Sequence, residues 1–256
     1  MLRKDFAAEG AALAGTLGLS APDGAPGLAE FAAEAGFASL WARPALEPAD
    51  RMIAVLATLA SLHRLPQLRA HVGPALDLGH APRAIQEIVV QCGLYGGLPV
   101  AENGLAVAAE VFRERGLAAP EATAEEGAMM EMSRDDLHVD GVRIMQEIHG
   151  ARSQDGYAAP EDPATSALYE LAIRYGYGVI WSRPGLTWRQ RMFVALAAFT
   201  ALRLPATLTK FAQSALGQGV TREQVVEAIM QTAPYGGFPP ALTALTQIRP
   251  VLFPEK

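Results

Sequence analysis

Five histidines and one cysteine are the side chains of this 256-residue chain best suited to proton transfer or covalent chemistry near neutral pH. His71 is the candidate proton donor, because an imidazole can give and recover a proton under physiological conditions. Twenty residues upstream, on the preceding helix, Arg51 has the forked donor geometry that clamps a carboxylate. The phenol of Tyr95 can hydrogen-bond an enolate oxygen, and Trp41 can wall a pocket. Each has a plainer reading. His71 can be a packed core histidine, Arg51 can pair with Glu87 or Glu227, and Trp41 and Tyr95 can simply pack. Cys92 has no second cysteine with which to cycle, so it reads as a small buried hydrophobe ahead of a nucleophile.

The other titratable groups exclude more than they suggest. His63 ends a helix beside Arg64 and reads as surface; His80 follows Gly79 in a turn and is expected to be exposed. His138 and His149 stand three helical turns apart, too far to share a metal ion, so no metal site is expected. Neither a G-x-G-x-x-G nor a Walker-type loop occurs, which argues against nucleotide binding. A formal charge of −6 without a basic cluster argues against nucleic acid, while one or two arginines suffice for a small anionic substrate. No segment approaches the ~18 uninterrupted apolar residues that span a bilayer. Leu2-Arg3-Lys4 ahead of the apolar stretch Ala11 to Leu19 is not expected to act as a leader, because Asp5, Glu9, Gly15 and Gly18 interrupt it. A cytoplasmic protein is expected.

The elements that must position these residues are repeated. WARPAL at Trp41–Leu46 recurs as WSRPGL at Trp181–Leu186, and YGGLP at Tyr95–Pro99 recurs as YGGFP at Tyr235–Pro239. Both pairs share an offset of 140 residues, which also relates Arg51 to Arg191, Met52 to Met192, Glu87 to Glu227 and Gln91 to Gln231. In Arg51–Leu62 apolar residues occupy nearly every face, which predicts a buried central helix. Leu65-Pro66 and Leu204-Pro205 break that helix and open the next. Thr221 with Glu223 and Gln224 reads as an N-cap, and the Gly-Gly-x-Pro box stops one helix and starts the last. With no alternating strand pattern, the fold class is all-α, with about five or six helices per repeat. The first repeat is expected over 1–118, a connector over 119–132 and the second repeat over 133–256.

On these residues the chain resembles the carboxymuconolactone decarboxylase family, twice over. The run from Arg134 through Gly141, Ile148 and Gly150 to WSRPGL and YGGFPPA looks like one complete subunit. WARPAL, Arg51, LRAH (Leu68 to His71) and QCGLYGGLP look like a second. The resemblance implies the alkylhydroperoxidase-like helical fold and a cofactor-independent decarboxylase, or related proton-transfer enzyme, acting on a small lactone or keto carboxylic acid. It also implies ring assembly, here a homotrimer of six modules. Peroxidase members of this wider fold need a C-x-x-C pair before the histidine, which the chain lacks. In the decarboxylase branch the position four before the histidine is usually glutamate. Here it is Gln67, whose amide can orient a substrate or the ring but cannot exchange a proton. In the second repeat these positions hold Phe211 and Thr207, so that repeat is expected to be inactive or to serve a different ligand. A non-catalytic ligand-binding or assembly protein is the competing reading.

Overall fold

The computed structural model describes residues 2–22, 24–154 and 162–254. The outermost residues of the two expected repeats, 1 and 255–256, lie outside the described residues. Helix α1 (Arg3–Thr16) leads into α2 (Leu28–Phe31), which continues without a break as a π-helix, Ala32–Trp41. Then follow α3 (Pro48–Ser61), α4 (Leu65–Asp77), α5 (Pro82–Gly96) and α6 (Leu98–Glu114). The expected connector contains α7 (Ala124–Met130), started by a capping box between Thr123 and Glu126. The series then repeats: α8 (Arg134–His149), α9 (Ser166–Leu171) running into a π-helix, Ala172–Trp181, α10 (Trp188–Ala201), α11 (Pro205–Gly217), α12 (Arg222–Gln231), α13 (Ala233–Gly236) and α14 (Phe238–Leu252). The fold is all-α, as two similar helical modules.

The chain breaks where its sequence dictates. Thr221 caps α12 through its hydroxyl, which accepts from the Gln224 N–H at 3.2 Å. Gly97 and Gly237 end the preceding helix of their boxes with φ of 100° and 105°, a conformation that a side chain would strain. Gly10 of α1 and Gly141 of α8 let their helices touch the following π-helix. A Cβ there would lie 2.0 Å from the Ala33 carbonyl oxygen and 2.3 Å from that of Ile173. This pair fixes the register of the two N-terminal arms at an offset of 131 (141 − 10), not 140.

Helices α3 and α10 pack against each other at the centre, and side chains on all their faces are buried, among them Met52, Ile53, Leu56, Met192, Phe193 and Leu196. Each of these side chains contributes roughly 1.5–3 kcal/mol on burial. Two fully buried arginines interrupt this apolar centre, and each finds its carboxylate in the opposite module. Arg51 of α3 donates to Glu227 Oε2 (2.8 Å), to Gln231 Oε1 (3.1 Å) and to the carbonyls of Leu46 and Arg43. Arg191 of α10 donates to Glu87 Oε2 (3.2 Å), to Gln91 Oε1 (3.2 Å) and to the carbonyl of Arg183. Arg43 and Arg183 complete the exchange by pairing with Glu227 and Glu87 across the same boundary. Burial pulls the Arg191 guanidinium below its ordinary value, with the Glu87 carboxylate opposing that fall.

Removing one member of such a pair strands a buried charge, which costs about 3–5 kcal/mol. Glu227→Ala is therefore expected to lower stability by about that amount in denaturant titrations. Because each module takes its counter-charge from the other, residues 1–118 alone are expected to show no cooperative unfolding transition.

Candidate functional site

His71 lies in α4 with 8% of its surface exposed. Its Nδ1 sits 2.7 Å from the Gln67 carbonyl oxygen, which can only accept, so Nδ1 carries the proton. Gln67 thus orients the ring through its backbone rather than its amide, and its side chain is on the exposed side of the helix. Nε2 has no hydrogen-bond partner among the described residues. Burial lowers the pKa of the ring, with the bond to Gln67 acting the other way. The resting imidazole is therefore neutral, with the lone pair on Nε2 unclaimed. At rest His71 is thus a proton acceptor at Nε2.

The tyrosine beside His71 comes from the other module. The Tyr235 ring meets the imidazole edge-on, with centroids 5.2 Å apart. Its hydroxyl accepts the indole N–H of Trp41 at 3.0 Å, which leaves the phenolic proton available to a ligand. Burial pushes the Tyr235 phenol up to about 12, against the bond from Trp41, so it stays a neutral donor. Gln231, one turn earlier, has a buried side-chain nitrogen without a partner among the described residues.

Three expected site residues are elsewhere. Tyr95 is not with His71; its hydroxyl accepts from Gln91 Nε2 at 3.0 Å and its ring packs on Phe199 of the second module, at 4.4 Å. The two tyrosines of the repeat are thus exchanged between modules. Arg51 is held by Glu227 and cannot clamp a substrate, which bears out the structural alternative. Cys92 is fully buried, its thiol directed at the Ala57 carbonyl at 3.6 Å, and burial pushes it up to about 12, which removes a thiolate nucleophile. His63 is exposed as expected. His80 is not exposed: its Nε2 bonds the Ala49 carbonyl at 2.9 Å, which ties the turn to the start of α3. No cluster of metal-ligating side chains occurs among the described residues, and no described helix is long and apolar enough to cross a membrane.

Residues 26–110 and 166–249, together well over half the chain, match the model of the carboxymuconolactone decarboxylase family. The chain belongs to this family. Relatives include 4-carboxymuconolactone decarboxylase of Acinetobacter baylyi, 31% identical over 88 residues, 34% of this chain and 66% of that one. A nitrosuccinic acid decarboxylase of Metarhizium robertsii is 26% identical over 117 residues, covering 44% of this chain and 82% of its own length. Both relatives are decarboxylases by name, of different acids.

Sequence reasoning passed over His149. It is 1% exposed at the end of α8, with Nδ1 2.6 Å from Ser214 Oγ and Nε2 2.7 Å from the Tyr177 hydroxyl. Its ring also meets Phe211 edge-on at 4.8 Å. Burial, reinforced by the charges of Lys210 and Arg152, lowers its pKa to about 3. In the unfolded chain it titrates near 6.5. The unfolded state therefore binds the extra proton first, so this stability is complete above about pH 6.5 and falls away from there toward pH 3. His149→Gln is expected to flatten the loss of melting temperature between pH 7 and pH 4 relative to the parent; parallel curves would contradict the assignment.

Proposed function

We propose that this chain is a cofactor-independent decarboxylase of a small lactone or keto carboxylic acid, with His71 moving the proton in a site completed by Tyr235 and Trp41. The observation that carries this reading is the neutral imidazole with Nδ1 fixed and Nε2 unclaimed, set against a phenol whose own proton is available. An arriving carboxylate favours the charged imidazolium, so Nε2 takes up a solvent proton as substrate binds. The C–C bond then breaks, its electron pair passes into the conjugated carbonyl as an enolate, and carbon dioxide leaves. Tyr235 donates a hydrogen bond to the enolate oxygen, and Nε2–H returns its proton to carbon. The largely dry surroundings favour a charge-dispersed transition state over a localised carboxylate.

Carbon dioxide release from butenolide carboxylates such as 4-carboxymuconolactone is the direct assay. His71→Ala is expected to reduce it by about 10²–10⁴. Tyr235→Phe should reduce it by about 10²–10³, the scale of one lost oxyanion donor. Tyr95→Phe should leave it close to the parent rate, and equal losses from both tyrosine variants would refute the exchanged-tyrosine site. A second reading, a ligand-binding protein without a reaction, is favoured by one observation: His71 does not line any of five cavities found among the described residues. Substrate binding without proton uptake, in calorimetry across buffers of different ionisation enthalpy, would select that reading.

For assembly we propose a homotrimer of six modules, supported by the family's ring-forming habit and by exposed apolar side chains such as Leu98, Leu168 and Leu242. Light scattering at the mass of three chains is expected, and a clean monomer would overturn it.

A further inference from the structure

One turn recurs in both modules in a conformation that its residue type resists. After α3 and after α10 the chain turns back on a backbone bond, from the Arg64 N–H to the Leu59 carbonyl and from the Leu204 N–H to the Phe199 carbonyl, both at 2.9 Å. Glycine is the usual residue at the left-handed position of such a turn. Here His63 and Arg203 hold it, with φ of 52° and 58°, alone among the described residues that are not glycine. Backbone strain of this kind is concentrated at binding and switch positions.

Arg203 lines a cavity. It measures about 370 Å³, within the roughly 300–1,000 Å³ of small-molecule sites, and opens between the end of α10, the start of α11, and α14. The buried side chains of Phe199 and Leu208 and the rings of Pro239 and Pro240 supply apolar wall. Arg203 is its one charged lining residue among those described. The guanidinium has no hydrogen bond, ion pair or ring contact among the described residues, and the hydroxyl of Thr243, which also lines the cavity, has none either.

Substitutions between the repeats open this space. At the offset of 140, Leu208, Pro240 and Ala244 correspond to Leu68, Val100 and Gly104. Val100 is buried against Gly96, where a Cβ would lie 2.9 Å from its Cγ2, whereas Pro240 is half-buried and lines the cavity. Gly104 brings α6 so close that a Cβ would stand 2.6 Å from Val89 Cγ1 and 3.5 Å from Leu68 Cδ2. The Ala244 methyl forbids the same approach by α14, and Leu208 is left lining a cavity. This is no second copy of the His71 site. Phe211, which stands at the position of His71, does not line it, and its ring packs on Phe199 at 5.0 Å.

We propose that this cavity binds a small carboxylic acid with a flat apolar ring, its carboxylate held by Arg203 and Thr243 and its ring against Phe199, Leu208 and the two prolines. The site lies apart from His71 and stands whether or not His71 catalyses. An unpaired guanidinium beside mostly apolar walls selects an anion over a neutral molecule of equal shape, and its planar fork matches a carboxylate.

Isothermal titration of the whole chain with benzoate, and with benzamide as its uncharged counterpart, tests this. Benzoate should bind, and benzamide at least about tenfold more weakly. Arg203→Gly relieves the left-handed turn as it removes the clamp. It should therefore keep or raise the melting temperature while weakening benzoate at least about tenfold, and Arg203→Gln should weaken benzoate too. His71→Ala should bind benzoate with the parent affinity, which separates this site from the one proposed for catalysis. Undetectable benzoate binding overturns the proposal, as does affinity indifferent to Arg203→Gly or lost with His71→Ala.

Discussion

A guanidinium sealed in an apolar centre is tolerable only with a carboxylate against it, and this protein satisfies that demand across its internal boundary. Arg51 is neutralised by Glu227 and Arg191 by Glu87, with Gln231 and Gln91 filling further donor positions. The exchange locks α12 over the first module and α5 over the second. The same locking carries Tyr235 to His71 and Tyr95 to Phe199. The buried charge pairs and the placement of Tyr235 beside His71 are therefore one arrangement.

Much of this was legible in the residues. The two boxes at one offset gave the duplication, the all-round apolar run gave the central helices, and the Leu-Pro and Gly-Gly breaks gave their ends. Arg51 could be assigned a structural role with Glu227 as one of two partners. What could not be read was which copy supplied the partner. At a uniform offset, a contact within a repeat and the same contact exchanged between repeats leave identical spacing. Tyr95 was assigned to the wrong site for that reason.

His149 escaped for a different reason. The arm of the second module is out of register with the rest of its repeat, so comparison at 140 residues matches it with Glu9 instead of Gly18. Only the close approach at Gly10 and Gly141 restores the alignment. His80 was misjudged because a turn residue was taken as solvated, whereas its ring closes onto the backbone of α3. In both cases a tertiary contact overrode a local cue, and a signal for His149 existed only in the glycine pairing of the two arms.

The connector helix has a consequence beyond joining two halves. Glu126, held by its own capping box, bridges Arg83 and Arg183, whereas the corresponding Arg43 pairs with Glu227 alone among the described residues. In a dimer of identical chains every substitution appears twice, so a gain on one side is forced on the other. A tether removes that constraint: each half always meets its unlike sibling, at an effective concentration that free subunits do not reach. One half can then keep an imidazole on a core helix while the other moves its own to the arm, and the pairing that holds both never has to choose between them.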